Sequence, residues 1–252
     1  MARLDQELVN QNLVATRSLA QQLIKAGSVE VYLSGHWVLQ TKPSFQCSGK
    51  QTIRLLDTDA TQYVSRGGLK LAGALHHCKL DISGLVALDV GQSTGGFSDC
   101  LLQSGVAKVV GVDVGRDQLV EKIKNDARVA YYEGINAREL PADMLLHHTD
   151  AGFDLAVMDV SFISQTLIAP ELVPLLKPGG HLLCLVKPQF EVGKSGIGKK
   201  GIVRDESLYP DVQQRITALY ESLGCRVHDY FNSAITGGDG NREFFIWAQK
   251  MH

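Results

Sequence analysis

A glycine-rich turn that follows a short apolar run constrains the fold of this chain most strongly. The run at residues 85–88 leads into the segment DVGQSTGGF at residues 89–97. A buried strand therefore ends in an acidic residue and a turn that opens into a helix. Such a unit predicts an α/β fold, in which ligands bind beyond the carboxyl ends of the strands. Because glycine has no side chain, the turn would let a nucleoside cofactor approach the backbone closely.

The spacing of the glycines distinguishes two classes of cofactor. A dinucleotide-binding turn reads G-x-G-x-x-G, and Ser93 stands where its middle glycine would be. The turn instead resembles the D-x-G-x-x-x-G-G-F form of S-adenosylmethionine-dependent methyltransferases. The resemblance implies S-adenosylmethionine as the cofactor and makes a nicotinamide dehydrogenase the weakest alternative. The residues of the turn that it assigns to the cofactor are Asp89, Gly91, Ser93, Gly95, Gly96 and Phe97.

Length, charge and cysteine content limit the classes of protein to which this chain can belong. A chain of 252 residues fits one large domain, or a medium domain with a small one, and its net charge of −2 gives no overall attraction to nucleic acid. The five cysteines form no C-x-x-C pair, so we expect neither a disulfide framework nor a metal site. We find no signal peptide and no apolar run of membrane length, so we expect a cytoplasmic protein without stable membrane association.

From about residue 61 onward, strand patterns alternate with helix patterns. The alternation predicts a Rossmann-like, doubly wound α/β sheet over residues 61–252. The last two strands, near 225–234 and 243–249, could add an antiparallel strand. The other predicted strands are 86–90, 109–113, 129–132, 153–158 and 181–186, with helices from 95, from 116, up to 175 and over 206–223.

Three further loops are expected to meet the glycine turn at the carboxyl edge of this sheet. Asp113 ends the second strand, where a carboxylate can accept hydrogen bonds from ribose hydroxyls, although it could equally cap the next helix. Asn136 follows the third strand and is suited to the adenine edge. Asp159 follows the fourth strand.

Residues 1–60 differ in character and predict a small α+β module of two helices and short strands. Arg17, Gln21 and Lys25 stand at i, i+4 and i+8 and so share one polar helix face. The segments RLD (3–5), RSLAQQLIKAGSV (17–29) and TKP (41–43) resemble the S4 RNA-binding domain, although VYLSG (31–35) replaces its shorter hairpin turn. The alternative is a merely solvated helix face. The residues assigned to RNA contact are Arg3, Arg17, Gln21, Lys25 and Lys42.

Four residues outside the cofactor turn point to the methyl acceptor. Lys70, Asp159, Lys187 and Glu243 resemble the K-D-K-E tetrad of FtsJ-type ribose 2′-O-methyltransferases, and three of them lie at strand ends. With the N-terminal module, almost the whole chain resembles the hemolysin A (TlyA) family. That resemblance implies 2′-O-methylation of cytidine in ribosomal RNA, with ribosomal RNA or ribosomal subunits as partners. It does not indicate the nucleotide, and the sequence does not predict the oligomeric state.

The chemistry of a ribose hydroxyl suggests a role for each member of the tetrad. The hydroxyl is a weak nucleophile, and a neutral lysine can orient it and take its proton. We expect Lys187 to be that base, with Lys70 favouring its neutral form by like-charge repulsion. Asp159 and Glu243 would position the two amines, and no metal is needed.

A glycine- and lysine-rich loop at residues 191–204 is expected to clamp RNA phosphates, unless it is only a flexible surface loop. Two other functions remain open: a pore-forming cytolysin, and a ribosome-assembly factor with a vestigial methyltransferase domain. The residues assigned to RNA contact outside the N-terminal module are Arg66, Lys194, Lys199 and Lys200.

Overall fold

A computed structural model describes residues 2–14, 16–25, 27–48, 51–56, 62–193, 196–198, 201–237 and 240–252. At the N-terminus, a pair of helices packs against short strands. The pair β1–β4 and the antiparallel sheet β3–β2–β5 are separate. The elements are β1 (Ala2–Arg3), α1 (Leu4–Asn10), α2 (Arg17–Lys25), β2 (Val29–Leu33), β3 (His36–Leu39), β4 (Gln46–Cys47) and β5 (Ile53–Leu55).

The apolar pattern of the N-terminal residues explains how these elements associate. Leu4 and Leu8 of α1, Leu23 of α2 and Val29 and Val31 of β2 are all fully buried in one core. Alternate residues of β2 point to opposite faces, so its valines face the helices. The two helices and the hairpin turn at residues 34–35 are where the sequence predicts them. The predicted linker at residues 57–62 lies mostly outside the described residues.

The remainder of the chain forms one seven-stranded mixed sheet with helices on its faces. In order across the sheet the strands are β11, β12, β10, β9, β6, β7 and β8. The elements are α3 (Gly67–Cys78), β6 (Val86–Val90), α4 (Gly96–Gln103), β7 (Lys108–Asp113), α5 (Glu121–Lys124), β8 (Val129–Glu133), α6 (Ala142–Leu146), β9 (Phe153–Met158), α7 (Ala169–Leu172), β10 (Leu176–Val186), α8 (Tyr209–Ser222), β11 (Cys225–Asn232) and β12 (Phe244–Lys250).

The direction of the strands fixes where a ligand can bind. Strands β10, β9, β6, β7 and β8 are parallel, and β12 pairs antiparallel with both β10 and β11. The expected antiparallel strand is therefore confirmed. The central strand β6 is apolar on both faces because helices cover both sides of the sheet. The carboxyl ends of β6, β7, β9 and β10 consequently meet at one edge.

Two helices are shorter than the sequence predicts. The helix expected from residue 116 is only α5, because Asp117 adopts a left-handed backbone conformation (φ 57°) that a helix cannot contain. The helix expected to reach residue 175 is α7 flanked by 3₁₀ turns. Its regular run ends at Leu172, and Pro174 lacks the N–H that a continued helix would need.

Candidate active site

Two adjoining cavities lie beyond the carboxyl ends of β6, β7 and β9. The larger has a volume of about 470 Å³ and the smaller of about 220 Å³. Both are lined by Gly91, Ser93, Asp159 and Ser161, so the glycine turn and the residues after β9 form their common wall. This is the position that an open α/β sheet provides for a ligand.

The glycine turn is held by the neighbouring strand. Gly91 has a φ of 86°, and a Cβ at this residue would overlap the carbonyl oxygen of Asp159. The Asp113 carboxylate accepts hydrogen bonds from the backbone N–H groups of Ser93 (2.8 Å) and Gly115 (2.6 Å). Asp113 therefore fixes the turn while it lines the larger cavity, and its remaining lone pairs stay available for ribose hydroxyls.

The larger cavity has the character of a nucleoside site. Asn136 lines it, and its side-chain oxygen accepts from the Arg138 N–H (3.1 Å), which leaves its amide N–H₂ as a donor. Apolar side chains and polar groups line it in about equal number, and this combination suits an aromatic base that carries polar atoms at its edge. The apolar lining residues are Val112, Val114, Ile135, Ala137, Val160, Phe162 and Ile163.

Two residues predicted to contact the cofactor line neither cavity. Asp89 is completely buried and accepts a hydrogen bond from the Ser98 hydroxyl (2.7 Å). Gly95 faces the opposite way, since a Cβ there would lie 2.8 Å from Leu119 Cδ1. Both residues lie beneath the turn, and their contact with the cofactor stays a prediction. By contrast, Gly96 and Phe97 line the smaller cavity.

The four residues of the predicted tetrad come together at the smaller cavity. Lys187 Nζ lies 2.5 Å from Asp159 Oδ1, and Lys70 Nζ lies 2.6 Å from Glu243 Oε2. Lys70 Nζ is also 4.0 Å from Asp159 Oδ2, which joins the two pairs. Both lysines and Glu243 are buried, while Asp159 is 20% exposed in its side chain. The four side chains therefore form a row in which lysine amines and carboxylates alternate. Solvent reaches this row mainly at Asp159.

Comparison with known proteins agrees with this geometry. The sequence model described as "FtsJ-like methyltransferase" matches residues 63–250, which span most of the chain and all four tetrad residues.

The chain belongs to the FtsJ-like methyltransferase family.

Full-length relatives extend this family assignment to the N-terminal residues. The protein YqxC of Bacillus subtilis, named as an rRNA methyltransferase, is 41% identical over 97% of this chain and 84% of its own length. The 16S/23S rRNA (cytidine-2′-O)-methyltransferase TlyA of Mycobacterium tuberculosis is 37% identical over 98% of this chain and 90% of its own. A solved Streptococcus thermophilus structure that carries the name hemolysin is 38% identical with a TM-score of 0.77, covering 99% of this chain and 88% of its own. The chain is thus a member of the TlyA family as well.

Family membership confirms the predicted cofactor, S-adenosylmethionine, and the α/β methyltransferase fold with a mixed central sheet. Among the residues that the structure describes, no helix is long and apolar enough to span a membrane. Over the same residues, no cluster of three or more histidine, cysteine or acidic side chains is arranged to bind a metal ion.

The predicted RNA-contacting residues outside the N-terminal module are only partly visible. Arg66 borders the smaller cavity, and its guanidinium donates a 2.6 Å hydrogen bond to the Thr236 carbonyl. Lys194, Lys199 and Lys200 lie outside the described residues. Among the described residues of this loop, Ile197 and Val203 form an antiparallel bridge.

Sequence reasoning missed how the tetrad is supported. Ser161 accepts a 2.9 Å hydrogen bond from Lys187 Nζ, and the buried Glu191 accepts bonds from the Ser164 hydroxyl and the Gln165 N–H. The sequence signal was the position of these residues, a few positions after the ends of β9 and β10. That signal identifies a loop at the site but does not predict which side chains meet.

The burial of Asp89 predicts a pH-dependent stability. Burial raises the pKa of this carboxyl to about 7, the negative charges of Asp159 and Asp113 act in the same direction, and the Ser98 hydroxyl opposes them. Because the ordinary pKa is about 4, the unfolded state loses the proton first as the pH rises. The free energy of unfolding should therefore fall by a few kcal/mol between about pH 4 and pH 7. In denaturant unfolding, the Asp89→Asn variant should lack this fall in the free energy of unfolding. An identical pH profile in wild type and variant would contradict the raised pKa of Asp89.

Proposed function

We propose that this chain transfers a methyl group from S-adenosylmethionine to the 2′-hydroxyl of a cytidine ribose in ribosomal RNA. The observation that carries the proposal is the tetrad of Lys70, Asp159, Lys187 and Glu243 at a cavity that continues into the nucleoside-like cavity behind the glycine turn. The activity named for the TlyA relative agrees with it, as does its 37% identity over nearly the whole chain.

The tetrad residues have distinct roles in this reaction. When bound, S-adenosylmethionine supplies an electrophilic methyl group on a positively charged sulfur. Lys187 orients the ribose hydroxyl and takes its proton as the oxygen is methylated. Asp159 and Ser161 hold the Lys187 amine in place from two directions. Glu243 holds Lys70, whose Nζ lies 4.0 Å from Asp159 Oδ2, so the two lysines share the Asp159 carboxylate.

Residues 1–60 are proposed to be an S4-like domain that grips the RNA, with residues 61–252 as the methyltransferase domain. Asp5 supports this proposal because its carboxylate is fully buried and accepts hydrogen bonds from three polar side chains. Arg3 and Arg17 each donate to it at 3.0 Å, and Gln21 donates at 2.7 Å. The two arginines stay about half exposed and are held side by side, which suits them to bind RNA phosphates. Lys25 and Lys42 are also exposed.

Replacing Asp5 by asparagine should loosen this cluster. An amide keeps the shape but loses the charge, and each hydrogen bond to a charged group stabilises by about 1.5–3 kcal/mol. The arginines hold the pKa of Asp5 far below its ordinary value, so the wild-type cluster should persist well below about pH 4. We expect Asp5→Asn to weaken binding to ribosomal RNA in filter-binding assays at about 0.1 M salt, where phosphate contacts are still strong, while cofactor affinity stays unchanged. Wild-type RNA affinity in this variant would argue against the role of the cluster.

The direct test of the proposed function is transfer of a labelled methyl group to ribosomal RNA or purified ribosomal subunits. Mapping ribose methylation in ribosomal RNA from cells with and without the protein would then identify the nucleotide. A protein that binds S-adenosylmethionine but labels no ribosomal substrate would overturn the proposal and favour an assembly factor without catalytic activity.

The hemolysin name of a close structural relative supports a second candidate, a membrane-active protein. It makes a different prediction, namely dye leakage from liposomes on addition of the purified chain. We expect no leakage at protein concentrations that support methyl transfer, and leakage without transfer would favour this second candidate.

A further inference from the structure

We infer that Glu191 is a positioning residue that holds Lys187 and Asp159 in register, a role that rests on the proposed function of these two residues. It belongs to the segment Lys187–Glu191 that follows β10. The opposing segment, Asp159–Gln165, follows β9. The ion pair between Lys187 and Asp159 therefore joins two loops, and its geometry depends on how these loops are fixed to each other.

The Glu191 carboxylate ties the two segments together at their far ends. Its Oε1 accepts the backbone N–H of Gln165 at 2.8 Å, and its Oε2 accepts the Ser164 hydroxyl at 2.7 Å. The side chain is only 2% exposed. A buried carboxylate makes strong hydrogen bonds to such donors, and their loss would leave polar groups unsatisfied in the interior.

The Glu191 side chain is itself held in place by Arg215 of α8. Arg215 of α8 donates to the Glu191 carbonyl oxygen at 2.6 Å and lies 3.4 Å from Oε2. The Gln165 amide donates to the Leu185 carbonyl of β10 and accepts from the buried Tyr220 hydroxyl, each at 2.9 Å. The network thus connects both loops to the sheet and to α8. It touches neither cavity, since none of its members lines them.

This arrangement explains why Glu191 should affect the rate of methyl transfer more than cofactor binding. Lys187 contacts Asp159 and Ser161, both on the opposing segment, so movement of one segment against the other displaces the amine. A displacement of about 1 Å at a reacting group can lower a rate by about 10²-fold. The nucleoside cavity depends on this segment only in part. Val160, Phe162 and Ile163 line it from the opposing segment, whereas Gly91 and Asp113, at the ends of β6 and β7, are held separately.

The test compares Glu191→Ala with Glu191→Gln and with a control at the opposite edge of the sheet. The control is Asp154→Ala. Asp154 is also a largely buried carboxylate that accepts a backbone N–H, that of Val86 at 2.8 Å, and pairs with Lys177. We expect Glu191→Ala to lower kcat for methyl transfer by about 10- to 100-fold, with a much smaller change in the Kd for S-adenosylmethionine. Glu191→Gln can keep both contacts, oxygen to the Gln165 N–H and amide to Ser164, and should recover most of the rate.

Loss of stability alone gives a different pattern. If Asp154→Ala lowers Tm as much as Glu191→Ala and also lowers kcat as much, the effect is general and the inference is overturned. Wild-type kcat in Glu191→Ala would overturn it too. Should Glu191→Ala fail to fold, Ser164→Ala, which removes the hydroxyl bonded to Glu191 Oε2, and its crystal structure decide. A shifted Lys187 amine with a slower kcat supports the inference, and an unchanged site with unchanged kcat overturns it.

Failure of the proposed function would look different from failure of this inference. If the wild-type protein methylates no ribosomal RNA, the proposed function fails. A crystal structure of Glu191→Ala still decides the positioning role without any activity. We expect the Lys187 Nζ to Asp159 Oδ1 distance to lengthen by about 1 Å or more in the variant, compared with 2.5 Å in the wild type; an unchanged distance would overturn the inference.

Discussion

Replacing Lys187 by alanine is expected to lower the rate of methyl transfer by about 10²–10⁴-fold, the usual contribution of a general base. The amine lies at the mouth of the smaller cavity between Asp159 and Ser161, and no other described basic group shares both contacts. Lys70 pairs with Glu243 instead, at 2.6 Å. Single-turnover transfer of a labelled methyl group to ribosomal RNA would measure the effect.

Cofactor affinity provides the control for this experiment. Lys187 borders only the smaller cavity, whereas the nucleoside-like cavity is built by Asp113, Asn136 and their apolar neighbours. Calorimetry should therefore give the Lys187→Ala variant a Kd for S-adenosylmethionine close to that of the wild type. A variant that transfers methyl groups at the normal rate would refute Lys187 as the base. A variant that no longer binds the cofactor would instead show that Lys187 belongs to the cofactor site.

The second large effect is expected at Gly91. Alanine at this position meets two obstacles: a φ of 86°, which strains any residue with a Cβ, and overlap of that Cβ with the Asp159 carbonyl oxygen. The first costs about 1–2 kcal/mol, and the second forces the turn away from β9. Because the turn forms the wall shared by both cavities, we expect Gly91→Ala to weaken S-adenosylmethionine binding at least about 10-fold, which corresponds to about 1.4 kcal/mol.

Gly84 is a matched control for Gly91. It precedes the other end of β6 and also has a positive φ, 74°, but a Cβ there would meet nothing within 4 Å. Gly84→Ala should therefore lower the free energy of unfolding by the backbone strain alone and leave cofactor affinity unchanged. Equal effects of the two substitutions on calorimetric affinity would show that strain, not the close approach of the turn to Asp159, is what matters.

The local patterns of the sequence predicted much of the fold. Alternating strand and helix patterns place the strands of the seven-stranded sheet to within a few residues, apart from an earlier start for β10, and the antiparallel β12 lies where it was expected. The predictions failed where a single backbone conformation or a proline interrupted a helical pattern, as at Asp117 and Pro174. Average periodicity does not detect such an interruption, because one residue changes the pattern little.

By itself, the sequence determined the class of fold and the glycine turn and predicted the four tetrad residues, because each depends on a short motif or on the end of a strand. Only the tertiary structure decided which lysine pairs with which carboxylate, that Asp89 lies beneath the turn rather than in the cavity, and that Glu191 joins two loops. These facts depend on segments that lie far apart in the chain, as Lys70 and Glu243 do. Their relative positions are set by the packing of the sheet and its helices, which no local pattern encodes.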